Sequence, residues 1–344
     1  MPHPSPRLAG VDTMRAVAMA AVVCIHVEPF KEQSPLLFVT INQASRFAVP
    51  FFFTASGYLL TRKLIAGADL GVTTGRVVRR ILAIFLAWSA VYVVAPSYTL
   101  IAELGVRDGL VRNLRDNLLD VAAHPIHFLL VGTAPHLWFL PSLLIGILIL
   151  ATTIALGRER WLLPLAAILY LVGLLGGSYQ ATPVGFSLHT QSIHGPFFST
   201  LFVAIGWWLA THNVTTTTAV ALSITGGGLL LHFVEVMLLG HLFQAPLNLH
   251  NYVVGTIPFA VGTMLLTLAL PGLGSGSPLP AIGRFALGVY VAHPLFSHSP
   301  IMWVGPRYVP EIVWQTSAPL LVYSLALVVA IALSRVPPLR PLVQ

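Results

Sequence analysis

Residues 11–30, VDTMRAVAMAAVVCIHVEPF, form a mostly apolar stretch near the start of the chain. A helix that spans a bilayer needs about 20 mostly apolar residues, so this stretch predicts a helix that crosses a membrane. The whole chain has the same character, because 56% of its 344 residues are hydrophobic and only 8% are charged. A soluble domain carries about 25% charged residues. The composition therefore excludes a water-soluble enzyme.

Windows of the same length give ten candidate spans along the chain. They lie near residues 11–30, 36–61, 81–101, 137–156, 161–178, 195–211, 217–240, 251–270, 282–298 and 317–336. We therefore predict an all-α, polytopic membrane protein with about ten transmembrane helices. Residues 1–344 are expected to form a single integral membrane domain, with the lipid bilayer as a partner.

Basic residues orient these spans, because Lys and Arg are enriched in cytoplasmic loops. With a cytoplasmic N-terminus, ten basic residues fall in inner segments and five in outer loops. The inner ones are Arg7, Arg62, Lys63, Arg76, Arg79, Arg80, Arg158, Arg160, Arg335 and Arg340. Both termini are thus predicted to be cytoplasmic. The net charge of +7 then reports orientation in the bilayer, and we expect no nucleic-acid partner.

The longest polar stretch lies between the third and fourth spans, at residues 102–136. It contains three arginines and three aspartates (Arg107, Asp108, Arg112, Arg115, Asp116 and Asp120) among apolar residues. Such a segment is typical of an amphipathic helix in the membrane interface. We expect an outer loop whose helix lies on the outer surface of the membrane.

Two polar residues lie on one face of the first span. Arg15 and His26 are eleven positions apart, which at about 100° per residue returns to nearly the same helix face. At a rise of 1.5 Å per residue they stand roughly 16 Å apart along the axis. The alternative is a snorkelling arginine and an unrelated histidine that bonds to a neighbouring helix. The shared face favours a common function.

The second span contains Arg46 and, closer to its end, the small-residue stretch Thr54-Ala55-Ser56-Gly57. An arginine at this depth needs an anion, a water-filled cavity or carbonyl partners. Small residues allow two helices to approach closely. Simple packing is therefore the simpler interpretation of the small-residue stretch.

Other polar groups occur in the fourth and seventh spans. The fourth opens with His136-Leu137-Trp138, which alone is typical of an interfacial aromatic anchor. In the seventh, His232 and Glu235 are three apart and share a face. A carboxylate there is costly unless it is paired or lines a cavity, and a neutral, protonated Glu235 is the alternative.

The ninth span completes the pattern, with Arg284 at its inner rim and Tyr290 and His293 further out. Under the predicted topology His26, His136, His293 and Glu235 all fall in the outer half of the membrane, and arginines lie beneath them. This arrangement favours an anionic ligand that enters from the cytoplasm and a proton transfer near the outer face. No cysteine or paired-histidine spacing typical of a metal site is present.

Together these segments resemble the acyltransferase family 3 of membrane acyltransferases. The family's first span carries an arginine and a histidine with ten residues between them, which here are Arg15 and His26. Its second-span motif is similar to the sequence around Arg46, with Val49-Pro50-Phe51-Phe52-Phe53 and Ser56-Gly57-Tyr58-Leu59 after it.

Two further segments carry the resemblance. His136-Leu137-Trp138-Phe139-Leu140 is similar to the family's His-Leu-Trp-aromatic-Leu element. Tyr290 to His293 is similar to its Tyr-x-x-His element, although Arg284-Phe285-Ala286 departs from the Ser/Tyr-rich lead-in. The four matches run in order from about residue 8 to 294, and the short chain is most similar to the subgroup that acetylates surface polysaccharides.

The resemblance implies transfer of an acyl group, expected to be acetyl, from cytoplasmic acyl-CoA to a hydroxyl of a surface glycan or related acceptor. The protein is then expected to be an O-acyltransferase in the cell membrane, that is, the inner or plasma membrane. Acetyl-CoA is expected as a co-substrate, with no cofactor bound permanently. A homodimer is left open. The alternative is a polytopic exporter or flippase of glycans or lipid-linked sugars, which also uses buried arginine and histidine.

Roles follow for the candidate residues within this hypothesis. His26 is expected to be the general base, supported by the Glu235 carboxylate, and Arg15 with Arg284 is expected to hold oxygens of the donor. Arg46 and His136 are expected to stabilise the oxyanion or orient the acceptor. The residues expected to bind donor or acceptor are Arg46, Ser56, Trp138, Arg284, Tyr290 and His293.

Overall fold

A computed structural model describes residues 8–343, and over this range the chain forms helices and no β-strand. Arg7, one of the basic residues that orient the spans, lies outside the described residues. The all-helical class predicted from the apolar windows is confirmed.

The chain forms seventeen α-helices over the described residues. They are α1 (Ala9–Val27), α2 (Pro35–Ala44), α3 (Ala48–Ile65), α4 (Leu70–Val94), α5 (Tyr98–Leu104), α6 (Val106–Ala123), α7 (Pro125–Val131), α8 (Phe139–Ala155), α9 (Leu162–Leu175), α10 (Pro196–Thr211), α11 (Thr218–Phe243), α12 (Thr256–Ala269), α13 (Leu279–Gly283), α14 (Ala286–Ala292), α15 (Pro294–Ser297), α16 (Ile301–Val304) and α17 (Glu311–Ser334). A 3₁₀ turn, Pro135–Trp138, leads into α8.

Six stretches of helix in the described part are long and apolar enough to cross a membrane. They are Ala9–Val27, Pro35–Ile65, Leu70–Leu104, Pro135–Ala155, Thr218–Phe243 and Glu311–Ser334. Three shorter apolar helices, Pro196–Thr211, Thr256–Ala269 and Ala286–Ser297, coincide with other predicted spans. The chain is therefore a multi-pass membrane protein by its helices. The number ten and the cytoplasmic placement of both termini stay predictions.

The second predicted span is two helices rather than one. The helix ends at Ala44 and resumes at Ala48, and the Ser45 hydroxyl donates back to the Ile41 carbonyl at the break. Pro50 lies in the first turn of α3, where its missing N–H costs nothing. The break places Arg46 outside the regular helix, so its side chain leaves the segment in a direction that helical periodicity does not predict.

The ninth predicted span is also interrupted, since α13, α14 and α15 follow one another with breaks at Arg284 and His293. Pro294 follows His293 directly and cannot donate a hydrogen bond to the preceding turn. His293 consequently sits at a helix break in the interior, with none of its surface exposed.

Helices α3 and α10 cross at close range. A Cβ atom on Gly57 would lie 2.2 Å from the Val203 carbonyl oxygen, and one on Gly206 would lie 2.1 Å from the Thr54 carbonyl oxygen. Backbone meets backbone here, because small residues let two helices approach within contact distance. The packing role predicted for the Thr54–Gly57 stretch therefore agrees with the structure.

The polar stretch at residues 102–136 contains α6, which packs on the end of α4. The Asn113 and Asn117 side-chain amides donate to the carbonyl oxygens of Ala95 (2.8 Å) and Val93 (3.0 Å). Apolar side chains of the same helix face away from the protein, with Val111 62% exposed. The position of α6 on the outer membrane surface stays a prediction.

We predict that Gly206→Ala destabilises the protein, because the new methyl group must push α3 and α10 apart. Overpacking of this kind costs about 1–3 kcal/mol. Gly226→Ala in α11 is the matched control, since its Cβ meets no atom within 4 Å and alanine favours a helix. Thermal unfolding in detergent measures both. Equal melting temperatures for the two variants would contradict the close crossing.

Candidate active site

A long cavity runs between α1, α3, α4 and α8, and we call it the basic cavity. Arg15, Lys63 and Arg80 line one end of it, and His26 and His136 line the other. The walls between these ends are apolar, with Phe52, Leu59, Ile84 and Leu143 among them. No carboxylate lines it over the described residues. A cavity with cations at one end and an apolar shaft suits an anionic molecule with a long thin tail.

A second cavity lies under α6 and the connections around it, and we call it the loop cavity. Asn117, Asp120, His127, Gln191 and His194 give it a polar lining. Three residues line both cavities: His26, His136 and Trp138. The two cavities therefore meet at this group, which we call the junction.

Three imidazole rings are packed together at the junction. The ring centroids of His26 and His293 lie 4.8 Å apart, and those of His136 and His293 lie 5.6 Å apart. His136 is 4% exposed and His293 is fully buried. The predicted convergence of these three histidines is thus found in the structure.

Backbone carbonyls fix which nitrogen of each ring carries a proton. His26 Nδ1 lies 2.9 Å from the Val22 carbonyl oxygen, and His293 Nδ1 lies 2.7 Å from the Tyr290 carbonyl oxygen. A carbonyl only accepts, so each Nδ1 is the donor and each Nε2 keeps its lone pair. The Nε2 atoms of His136 and His293 have no hydrogen-bond partner among the described residues. The junction therefore holds ring nitrogens with no hydrogen-bond partner among the described residues, and such a nitrogen can accept a proton when it keeps its lone pair.

Two tyrosines hold the His136 segment in place. The Tyr290 hydroxyl donates to the His136 carbonyl oxygen, and the Tyr290 ring lines the basic cavity. The Tyr92 ring lies 4.9 Å from the His136 ring, and its hydroxyl donates to the Val291 carbonyl at 2.7 Å. Tyr92 was missed in the sequence, since nothing in its surroundings marks it among nine tyrosines.

Arg46 lies near the junction but is fully engaged elsewhere. Its guanidinium donates to Asn42 Oδ1 (3.1 Å), Asn251 Oδ1 (2.8 Å) and the Asn248 carbonyl oxygen (2.8 Å). These acceptors are neutral and come from two distant parts of the chain. Arg46 thus connects the α2–α3 break to the loop before α12, and it does not line either cavity.

The structure does not bring Glu235 to His26. The two carboxylate oxygens accept hydrogen bonds from the backbone N–H groups of Val254 (3.0 Å) and Gly255 (2.8 Å), at the start of α12. The ring nitrogen of His26 that a carboxylate would contact is bonded to Val22 instead. The expectation failed because equal depth in the membrane does not place two side chains on facing sides of their helices.

The remaining predicted residues also divide into those that line a cavity and those that do not. Ser56 lines the basic cavity and donates to the Phe52 carbonyl at 2.7 Å, whereas Arg284 is exposed and lines neither cavity. Lys63 and Arg80 take the place expected for Arg284 beside Arg15. Arg80 follows Arg76 and Arg79 at the start of the third predicted span. This cluster of arginines is the feature of the sequence that could have identified Arg80 as a candidate site residue.

Fold and site together define a helical membrane protein with a buried histidine cluster between two cavities. The family described as the acyltransferase domain matches residues 8–336, nearly the whole chain. The chain therefore belongs to this acyltransferase family, and the resemblance seen in the four sequence segments is confirmed. Membership of this family supports an acyltransferase activity for the chain.

Curated relatives match over part of the chain. An amino-acid racemase of Enterococcus faecalis is 28% identical over 216 residues, which is 59% of this chain and 28% of that protein. A serine/alanine racemase of Enterococcus gallinarum is 30% identical over 214 residues, or 57% of this chain and 28% of that protein. The matched part of this chain thus spans little more than a quarter of these relatives. No solved structure shows a significant match.

We predict that Arg46→Met destabilises the protein by about 3 kcal/mol or more, since three buried or half-buried acceptors lose a charged donor and hydrogen bonds to charged groups contribute about 1.5–3 kcal/mol each. Arg284→Met, at an exposed arginine, is the control and should unfold like the native chain. Thermal unfolding in detergent compares the two. A stable but inactive Arg46→Met protein would instead support a direct role of Arg46 in catalysis.

Proposed function

We propose that this chain is an O-acyltransferase that moves an acyl group, expected to be acetyl, from acyl-CoA to a hydroxyl of a surface glycan or related acceptor. The single observation that carries the proposal is that two cavities of different chemistry meet at His26 and His136. A donor in one cavity and an acceptor in the other would bring their reacting groups to the same two rings.

The basic cavity suits the donor. Acyl-CoA carries several phosphate negative charges at one end and its thioester at the end of a thin arm. Arg15, Lys63 and Arg80 would pair with phosphate oxygens through charge-assisted hydrogen bonds, and the apolar shaft would hold the arm. Arg15 and His26 are separated by about 16 Å of helix, so a molecule bound at both ends is held extended. Acyl-CoA is a co-substrate here and leaves as CoA.

The orientation in the membrane follows from the basic residues. In the predicted topology the end of the basic cavity with Arg15 faces the cytoplasm, where acyl-CoA is found, and the loop cavity faces outwards. The acyl group would thus cross the membrane inside the protein while the CoA headgroup stays on the inner side. We place the protein in the inner or plasma membrane on this basis.

The reaction uses the free lone pair of His26. Nε2 takes the proton of the acceptor hydroxyl as its oxygen attacks the thioester carbonyl carbon. The tetrahedral intermediate then breaks its carbon–sulfur bond, and His26 passes the proton that it took from the acceptor to the departing thiolate of CoA. The products are the ester and CoA thiol, so no proton is gained or lost. His136, with its unpartnered Nε2, lies where it would orient the acceptor hydroxyl.

We predict that His26→Gln abolishes acyl transfer while the protein stays folded in the membrane. Loss of a general base typically costs about 10²–10⁴-fold in rate. His212→Gln is a matched control, because His212 also bonds through Nδ1 to the carbonyl four residues earlier, at 3.0 Å, but lines neither cavity.

The measurement is release of CoA thiol from acetyl-CoA by purified protein with a sugar acceptor. Near-native turnover by His26→Gln would refute His26 as the base. Loss of turnover in His212→Gln as well would point to a general effect of histidine replacement on folding.

A second prediction concerns Trp138, whose ring forms part of the boundary between the cavities. Trp138→Ala should let water from the loop cavity reach the thioester, which then hydrolyses to the carboxylic acid and CoA thiol. We expect CoA release without acceptor to rise several-fold and acyl transfer to fall. Phe52→Ala, which enlarges only the basic cavity, is the control and should not raise hydrolysis. Equal hydrolysis in both would show that Trp138 does not separate the cavities.

The second candidate function is export of a glycan or lipid-linked sugar. Cavities that approach a common point from two sides also suit a transporter. Acetyl-CoA separates the two functions. A rise in melting temperature with acetyl-CoA that is lost on replacing Arg80 supports the enzyme, and no effect of acetyl-CoA supports the transporter.

A further inference from the structure

The charged side chains are distributed unequally between the two cavities. The basic cavity is lined by three cations, Arg15, Lys63 and Arg80, and by no carboxylate among the described residues. The loop cavity is lined by one carboxylate, Asp120, and by no lysine or arginine among the same residues. The two ends of the path through the protein therefore differ in the sign of their formal charge.

His194, a buried histidine of the loop cavity, does not add a positive charge to it. His194 is 6% exposed, and its Nδ1 lies 3.0 Å from the Thr190 hydroxyl oxygen. Burial and the neighbouring His127, whose ring centroid is 6.3 Å away, lower the pKa of His194 to about 4. It is therefore a neutral ring at physiological pH, because its pKa lies well below that pH, and supplies no positive charge to the cavity.

Asp120 stands at the rim of the loop cavity. Its carboxylate lies 2.9 Å from His124 Nδ1, and the side chain is 64% exposed. The helix that carries it is fixed, because Asn117 one turn earlier donates to the Val93 carbonyl. Asp120 is thus a negative charge held at the entrance, where it acts on molecules that enter and is only partly screened by salt.

We propose that the loop cavity is an acceptor site selective for hydroxyl compounds without a negative charge, and that Asp120 sets this selectivity against carboxylate- or phosphate-bearing acceptors. That the bound compound is an acyl acceptor rests on the proposed acyl transfer, whereas the charge selectivity of the cavity does not. An anion in the loop cavity would meet a like charge at the entrance and find no cation inside to replace its lost water. A neutral or amino-bearing sugar meets amide, hydroxyl and imidazole groups.

The first experiment measures the charge preference without any enzymatic activity. Cys24 is the single cysteine of the chain, so Cys24→Ala gives a background with no thiol. Val121→Cys then reports on the loop cavity and Leu59→Cys on the basic cavity, since each lines one of them. The probes are positively and negatively charged methanethiosulfonates, with rates normalised to a free thiol at about pH 8, where an ordinary imidazole is neutral.

We expect the cationic probe to modify Val121→Cys on the order of tenfold faster than the anionic one, from the Coulomb energy of unit charges near a surface. Leu59→Cys should show the opposite preference. When Asp120→Asn is combined with Val121→Cys, the ratio of the cationic to the anionic modification rate should fall to about threefold or less. The control is Asp116→Asn, one turn away on the same helix and paired with Arg112 at 3.5 Å, which does not line the cavity and should change nothing.

The second experiment compares acceptors that differ only in charge. Methyl glucoside, methyl glucosaminide and methyl glucuronide are offered with acetyl-CoA, and we expect kcat/KM for the glucuronide to be at least about tenfold lower. Asp120→Lys should narrow or reverse that gap. Equal probe rates in both cavities, or faster anionic modification at Val121→Cys, would overturn the proposal. If no sugar is acylated while the probe rates differ as expected, the acyl transfer is wrong and the charge selectivity of the cavity stands.

Discussion

A polar group inside the membrane-spanning part of a protein needs a partner, because lipid offers none and an unpaired group costs several kcal/mol. This constraint divides the charged and histidine residues singled out above into two sets. Arg46 bonds to three neutral oxygens, and Glu235 bonds to two backbone N–H groups. These residues hold loops and helix ends in place. His136 and His293 keep a ring nitrogen without a partner. His136 lines both cavities, and the His293 ring packs against it.

His232 belongs with the first set. Its two ring nitrogens lie 3.0 Å from the Thr256 hydroxyl and 2.9 Å from the Gln43 side-chain oxygen, so the ring is satisfied on both sides. Gln43 in turn donates to the Leu247 carbonyl at 2.7 Å. The network ties α2 to α11 and α12 near Arg46. His250 is an exception to the sorting, since it is buried without a partner for either nitrogen and yet lines neither cavity.

Much of the fold could be predicted from the sequence because the apolar windows report helix and burial together. What they do not report is where a helix breaks inside the membrane. At both interruptions a side chain bonds to a backbone carbonyl about one turn earlier, Ser45 to Ile41 and His293 to Tyr290. The mean hydropathy of a window does not record such bonds. The chain after α17 is another such case, since Val343 is fully buried and Trp88 Nε1 donates to the Leu342 carbonyl at 3.3 Å.

The candidate site could be predicted where one helix carried the information. Arg15 and His26 share a face by periodicity alone, and both line the basic cavity. Contacts between residues on different helices were harder to predict, because a position in the sequence gives the depth of a residue in the membrane but not its direction about the helix axis. Glu235 and His26 lie at similar predicted depth and face different partners. Arg80 lay in a cluster of three arginines that sequence reasoning used only for orientation.

The histidine cluster differs from the usual pairing of a catalytic histidine with a carboxylate, and the setting gives a physical reason. A carboxylate at the junction would add a buried negative charge beside the apolar shaft that the proposed anionic donor would enter. The Val22 and Tyr290 carbonyls fix the ring tautomers of His26 and His293 with neutral groups instead. The ring tautomers are thus set without a charge that would repel the proposed donor, and a neutral imidazole avoids the desolvation cost of a buried ion. Formal charge is thereby confined to the two ends of the path, with cations at one and Asp120 at the other.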